Sequence, residues 1–241
     1  MPRTLAVLAT YNERENVREL VEAVLALELP DVDVLIVDDN SPDGTGRIAD
    51  ELAAQHPEVG VVHRKAKLGL GSALCGALEI AEHNQYDFVV TMDADFSHNP
   101  KYLPDMIALA DECDLVIGSR YVPGGGTRNW GAIRRFMSWG ANTFVRFGLG
   151  LKPRDCSSGF KCYRVGMLCR LDLTRFVSWG YAFQEEMVFR FQLLDADVRE
   201  LPIVFENRRR GTSKMSLREV LGLAFTVVRL RWRRLMGRLH G

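Results

Sequence analysis

No uninterrupted apolar run in these 241 residues approaches the roughly 20 needed for a membrane-spanning helix. The opening residues begin a strand almost at once and show no basic-then-apolar leader, so no signal peptide is expected. The five cysteines (Cys75, Cys113, Cys156, Cys162, Cys169) contain no Cys-x-x-Cys pair. That argues against a zinc ribbon or a disulfide framework and favours small buried hydrophobes in a reducing compartment. There is no internal repeat and no low-complexity tract. Two nucleotide motifs are incomplete. Gly69-Leu70-Gly71 starts like a dinucleotide fingerprint, but Leu74 stands where its third glycine belongs. Gly76 is followed by Ala77, not by the lysine of a P-loop.

Net charge is also lacking, at +0, but the two ends of the chain differ. Residues 208–241 hold ten Lys or Arg against the single acid Glu219, and residues 1–207 carry the balancing net of −9. Such a tail suits a polyanion, either nucleic acid or an anionic membrane surface; the bland alternative is a solvated basic helix. No zinc-ligand pairs or RNP sequence accompany it, which argues against nucleic acid.

Strands alternate with helices along the chain. Strands are expected at Leu5–Ala9, Val32–Val37, Val59–His63, Phe88–Met92, Asp114–Gly118, Ser157–Tyr163 and Val198–Phe205. Helices are expected at Arg14–Leu27, up to about His56, at Leu70–Ala81, Leu103–Ala110, Ile133–Phe147 and Phe183–Leu193. Gly124 to Gly126 reads as a mobile loop. This alternation predicts a doubly wound, mostly parallel α/β sheet in one domain with an elaborated second half. Beyond it, Leu221, Phe225, Val228, Trp232, Leu235 and Leu239 form one stripe flanked by Arg229, Arg231, Arg233, Arg234 and Arg238. A helix so built fits the plane of a membrane interface; its alternative is docking on the protein's own sheet.

The stretch Phe88 to Pro100, FVVTMDADFSHNP, organises the rest. A buried β-branched strand ends in Asp93-Ala94-Asp95, and Pro100 opens a helix where its missing N–H costs nothing. Two carboxylates at the carboxyl end of such a strand sit where open α/β sheets bind ligands. Their hard oxygens suit Mg²⁺ or Mn²⁺ carrying a phosphate-bearing substrate. Alone, Asp-x-Asp is weak evidence, since such a loop also arises as a helix cap.

Further blocks stand in order with it. Ala9 to Asn16 (ATYNEREN) and Asp38 to Thr45 (DDNSPDGT) resemble strand ends of the inverting family 2 glycosyltransferases, and MDADFSHNP resembles their metal loop. Within that family, GSRYVPGGG, SSGFKCYR, GYAFQEEM and RRRGTSKMS are similar to the polyprenol-phosphate (dolichol-phosphate) mannose synthases, and the match runs from Leu5 to about Leu217. The resemblance implies a GT-A, Rossmann-like fold with flanking helices and a basic amphipathic C-terminal helix. It implies a catalytic domain over 1–215, with a nucleotide-sugar half to about 120 and an acceptor half from about 121, and an interfacial helix over 216–241.

By the same resemblance, Tyr11, Glu13 and Asp39 hold the nucleoside of GDP-mannose and Val37 lines the base pocket. Asp93, Ala94 and Asp95 face the ribose, diphosphate and metal (Mg²⁺ or Mn²⁺), with Ser97 where some members place a metal-binding Gln. Arg120, Arg208 and Lys214 contact phosphates, and Arg134 contacts the phosphate of a polyprenyl monophosphate acceptor. An anionic membrane surface and a separate membrane-anchoring subunit are the further partners implied, at the cytoplasmic face of the membrane. Ala9 stands where Pro is usual, and Glu185 adds a carboxylate to the Gln-x-Glu-Met block. A lipid phosphate, with a second pKa near ~6, is already ionised at neutral pH and needs clamping more than deprotonation. The alternatives are transfer from a UDP-sugar such as UDP-glucose to the same lipid, and a noncatalytic nucleotide-sugar or lipid-binding subunit.

Overall fold

The computed structural model describes residues 2–66, 69–178, 182–207 and 217–236. Seven strands form one sheet: β1 (Thr4–Thr10), β2 (Val32–Asp38), β3 (Val59–His63), β4 (Phe88–Asp93), β5 (Leu115–Ser119), β7 (Lys161–Arg164) and β8 (Val198–Pro202), in the order β3-β2-β1-β4-β7-β5-β8. All neighbours run parallel except β7, which is antiparallel to both β4 and β5. The short β6 (Gly126–Arg128) and β9 (Val204–Glu206) pair parallel in a second sheet. The helices are α1 (Val17–Leu25), α2 (Thr45–Gln55), α3 (Gly69–His83), α4 (Leu103–Ala110), α5 (Ala132–Leu149), α6 (Val165–Leu168), α7 (Ala182–Leu193) and α8 (Leu217–Leu235).

The central strands are apolar on both faces because both are covered. Leu5 and Val7 pack under α3 and α7, whereas Ala6 and Leu8 pack on α1, α2 and α4. A strand buried on both sides reads as a continuous hydrophobic run, which is why the chain shows so little alternation here. α7 is surrounded, with every residue from Ala182 to Phe191 buried, Gln184, Glu185, Glu186 and Arg190 among them. Those polar groups are therefore obliged to find partners inside the protein.

The chain leaves β1 for β2 on one side, and after β3 crosses to β4 on the other. Between the carboxyl ends of β1 and β4 lies the switch point at which such sheets open a crevice. The register sets Thr10 beside Asp38 and Ala9 beside Asp93, so the acidic strand ends share one edge. That single sheet also runs across residue 120, since β7 is inserted between β4 and β5.

Three expectations are corrected by the backbone. The strand expected over Ser157–Tyr163 is limited to Lys161–Arg164, because Ser157 and Ser158 are drawn into side-chain contacts at its entrance. The strand expected over Val198–Phe205 breaks at Ile203, whose N–H donates to Ser119 and whose carbonyl accepts from Gly126, dividing it between two sheets. Gly124 to Gly126 is a defined turn into β6, closed by the Gly125 N–H donating to the Val122 carbonyl at 2.9 Å. Gly124 sits at φ +89°, and a Cβ on Gly125 would collide with the Ser119 carbonyl oxygen. Gly126 has open space around it. Gly125→Ala is therefore expected to cost about 1–3 kcal/mol of stability in urea denaturation, and Gly126→Ala well under that. Equal effects would contradict the tight approach of this turn to the end of β5.

Candidate active site

The rim of the crevice is knit from three loops. After β1 the chain turns through Asn12 at φ 61°, and the backbone N–H groups of Asn12, Glu13 and Arg14 donate to Ser41 Oγ, Thr45 Oγ1 and Asp43 Oδ2 respectively. Burial disfavours charge on Asp43, but donors from Thr45 and Arg14 outweigh it and hold its carboxyl below the usual range. Asp38 is buried and accepts from Thr10 and Ser41, so it shapes the loop. Asp39, also buried, is paired with Arg64. Arg64 in turn donates to Ser72 on α3. Tyr11 is exposed at 36%, and the Glu13 carboxylate accepts from Asn16 at 2.8 Å. Val37 is buried at the end of β2, packed in the core with Val7 and Leu35.

At the end of β4 the Asp93 side chain is 46% exposed, whereas Asp95 is buried with Oδ1 accepting from the Ser97 N–H at 3.0 Å. Phe96, at φ 63°, turns the chain back between Asp95 and Ser97. Ala94 and Ser97 are both buried. His98, fully buried, accepts the Asp93 N–H on Nδ1 at 2.9 Å and stacks on Phe160 with ring centroids 5.0 Å apart. Burial lowers its pKa, against the pull of Asp93 and Asp95, so it is a neutral imidazole with its proton on Nε2. It positions the Asp93 backbone and leaves the carboxylate outside. Among the described residues no group of three His, Cys, Asp or Glu converges on a metal position. Two hard carboxylates nonetheless suit Mg²⁺ or Mn²⁺, which keep waters and substrate phosphates in their remaining positions.

Behind Asp93 stands a buried charge network that was not anticipated. Lys161, fully buried, donates to the Ser158 carbonyl at 2.6 Å and to Gln184 Oε1 at 2.5 Å. An ammonium donates only, so the Gln184 amide is fixed with Nε2 away from it. A Cβ built on Gly159 would lie 3.5 Å from His98 Cε1, 3.6 Å from Asp93 Oδ1 and 3.9 Å from Gln184 Nε2. The Gln184 amide is thus presented to the small space beside the Asp93 carboxylate. Glu185 answers the charge of Lys161: burial pushes its pKa up to about 7, opposed by Lys161, and burial pulls Lys161 down to about 8, opposed by Glu185. A lysine among Phe160, Cys162 and Tyr163 in an apolar strand was the available signal for this pair. Glu186 has another partner, Arg190, and accepts from the backbone of Val177 and Ser178.

Arg120 has a buried acidic partner that the sequence did not suggest. Its Nε and Nη2 donate to Asp155 at 2.7 and 2.8 Å, its backbone N–H donates to the same carboxylate at 2.9 Å, and Nη2 reaches Ser157 Oγ. Burial alone would neutralise both side chains, but each holds the other charged, raising the Arg120 pKa and lowering that of Asp155. In this structure Arg120 is a strut under the rim. Arg134 lies in the first turn of α5, 4.0 Å from the Trp130 ring, with Nη1 donating to Asn207 at 2.8 Å. Trp130 packs edge-on against Phe205 at 5.4 Å, and Phe205 against His98 at 5.3 Å. A continuous line of contacts therefore joins Asp93 to Arg134. Arg208 and Lys214 lie outside the described residues.

This sheet order, with an acidic strand end at its switch point, is that of a GT-A, Rossmann-like fold. Residues 6–171 match the sequence profile of glycosyl transferase family 2, and the chain belongs to that family. It is 44% identical over 214 residues to an undecaprenyl-phosphate mannosyltransferase of Micrococcus luteus, covering 89% of this chain and 88% of the relative. It is 45% identical over 216 residues to a polyprenol monophosphomannose synthase of Mycolicibacterium smegmatis, covering 89% and 81%. Among solved structures, mannosyl-3-phosphoglycerate synthase from Rubrobacter xylanophilus superposes with a TM-score of 0.68 at 20% identity, covering 100% of this chain and 76% of that one. Glucosyl-3-phosphoglycerate synthase from Mycobacterium tuberculosis, in complex with Mn²⁺ and UDP, gives 0.64 at 20% identity, covering 99% and 80%.

The acid of the buried pair carries a test. A folded-state pKa near 7 against 4.5 unfolded means that the native protein holds a proton on Glu185 which the unfolded chain has released. Its contribution to stability therefore falls as pH rises from about 4.5 to about 7 and is level above. The stability of wild type minus that of Glu185→Gln is expected to decline over this window in denaturation at pH 5, 6 and 7. A difference independent of pH would contradict the buried placement.

Proposed function

We propose that this enzyme transfers mannose from GDP-mannose to a polyprenyl monophosphate, with inversion and with Mg²⁺ or Mn²⁺, at the cytoplasmic face of a membrane. The observation that carries this reading is the contact line from Asp93 through His98, Phe205 and Trp130 to Arg134. It joins a nucleotide-sugar crevice to a cation at the start of a helix whose outer face is apolar. The two relatives named for polyprenyl-phosphate mannosylation cover nearly the whole chain and support the acceptor class.

Asp93 and Asp95 would hold the metal, which neutralises charge on the departing diphosphate. Tyr11, Glu13 and Asp39 line the nucleoside end of the rim, where Arg64 holds the Asp39 carboxylate in place. Gln184 Nε2 offers a fixed donor to the sugar or its phosphate. Arg134, stacked on Trp130, clamps the lipid phosphate, which attacks without a general base because it is already an anion. Ser97, buried behind Asp95, supports the metal loop through its backbone. Lys214 and Arg208 belong to the same proposal as phosphate ligands.

The test is a panel of labelled nucleotide sugars with a short polyprenyl phosphate. GDP-mannose alone should label the lipid, and labelling from UDP-glucose at an equal rate would overturn the donor. Asp93→Asn should lower turnover by about 10²-fold while the protein stays folded, since that side chain is half-exposed at the crevice. Near-normal turnover at saturating metal would remove its role.

Membrane association rests on a composite face. α5 and α8 pack closely, Val227 Cγ1 lying 2.6 Å from where a Cβ on Gly148 would be, and Val227 and Leu230 are buried. The predicted stripe points the other way: Phe225, Val228, Trp232 and Leu235 are exposed, as are Ile133, Phe136, Met137, Phe144 and Phe147 of α5. The side chain of Leu221 and residue Leu239 lie outside the described residues. No helix among the described residues is long and apolar enough to cross a membrane. One face of α8 docks on α5 and α7, not on the sheet named in the sequence alternative, and the outward apolar face supports the interfacial reading. Phe225→Ser with Trp232→Ser should release the protein from anionic vesicles without unfolding it, whereas Val227→Ser should destabilise it. Unchanged vesicle binding by the double variant would sink the interfacial role.

A further inference from the structure

A pocket of about 240 Å³ opens beside α5, lined by Tyr121, Trp139, Asn142, Thr143, Arg146 and Arg154. None of these residues belongs to the crevice at Asp93. Arg146 Nε is buried with no hydrogen-bond partner, and its Nη2 makes only a long contact, 3.4 Å, to the Lys152 carbonyl. Neither guanidinium is paired with an acid among the described residues. The carboxylate at hand, Glu200, has both oxygens occupied by the backbone N–H groups of Arg154 and Asp155. Asn142 is spent as well, donating to the Arg154 carbonyl and accepting from the Cys156 N–H, so it stiffens the wall. The Tyr121 hydroxyl is shared with Ser138 at 2.8 Å. What remains unsatisfied is cationic, and a buried donor left unpaired is costly unless a ligand completes it.

The rim of the pocket identifies the ligand. Trp139 is 53% exposed and pairs with Phe136 at 6.3 Å, while Arg146 lies 5.8 Å from the ring of exposed Phe147. Two guanidiniums, which match phosphate oxygens in a planar fork, are thus set at the border of an exposed aromatic face. Arg146 is 12 residues beyond Arg134 on one helix, about 18 Å along its axis, too far for one phosphate to serve both. We infer that this pocket holds the phosphate of an anionic bilayer phospholipid, a resident lipid that fixes the height and tilt of the enzyme and is not consumed. The inference rests on the membrane-face reading above.

The experiment separates the two. Dihexanoyl phosphatidylglycerol, kept below the concentration at which it forms micelles, is titrated calorimetrically into wild type, Arg154→Gln, and Arg146→Gln with Arg154→Gln. Saturable one-site binding is expected, weakened about tenfold or more in the double variant. The exposed Arg154→Gln alone should give a partial loss, should the double variant fold poorly. The same proteins are then sedimented with phosphatidylglycerol vesicles and with oleate vesicles of matched charge. Wild type should prefer the phospholipid, and the double variant should lose that preference but keep its binding to oleate. Vesicle binding by wild type with no preference, or with no saturable short-chain binding, overturns the pocket and leaves the membrane reading intact. Short-chain binding with no affinity for either vesicle overturns the anchor together with the membrane reading. A double variant that keeps the vesicle preference but shows a raised KM for polyprenyl phosphate in detergent assigns the pocket to the acceptor and overturns the proposal.

Discussion

The ion pair between Arg120 and Asp155 is the joint on which the site depends. Asp155 is fully buried and receives three donors from Arg120, while its own N–H is held by Glu200 on β8. The pair ties the end of β5 to the segment entering β7. β7 is the antiparallel insert beside β4, so this tie places Gly159 and Lys161 against the Asp93 strand end. Removing one member of such a pair leaves an uncompensated buried charge, at a typical cost of about 3–5 kcal/mol. Few positions in the chain hold so much geometry with one contact.

Charge is sorted in this molecule by depth. Near the crevice the arginines are committed: Arg64 to Asp39, Arg120 to Asp155, Arg190 to Glu186. Along α5 and α8 half-buried and exposed arginines alternate with exposed aromatics, and Arg231 donates to the Gly148 carbonyl where the two helices touch. Paired cations fix shape, and cations beside bare apolar surface attract anions from outside. The same residue type thus does structural work within and, in the function proposed above, interfacial work at the edge. The zero net charge of the whole chain hides the division completely.

Much of the fold was legible because it is written in local periodicity. Val59–His63 and Leu103–Ala110 fall at their expected bounds, and Phe88–Asp93 exceeds its expected end by one residue. The place of the crevice was legible too, since a buried strand ending in Asp-x-Asp puts its acids at the carboxyl end of the sheet. What was not legible depended on partners distant in sequence. Nothing near Val198 announces that Ile203 will be claimed by Ser119 and Gly126 and split the strand. Nothing near Arg120 announces that Asp155, 35 residues on, will hold its guanidinium. The glycines at 124–126 looked mobile by composition, whereas Gly124 serves a positive φ and Gly125 lets the turn pass against the Ser119 carbonyl at the end of β5.

Glu185, an extra carboxylate in a recognisable block, acquires a role by the same logic of distant partners. The donor groups of Lys161 reach Ser158 and Gln184 by hydrogen bonds, so Lys161 orients an amide toward the crevice. A lone buried ammonium would release its proton and with it that orientation. Glu185 Oε2 is buried without a hydrogen-bond partner, and burial keeps the acid protonated until about pH 7, so it becomes a counter-charge to Lys161 only above that. Its effect on Lys161 is the coulombic one of sustaining the protonated form. The two residues are therefore exchangeable only as a pair: a neutral donor at 161 would make an acid at 185 a liability, and an apolar residue at 185 would leave a lysine at 161 unsupported.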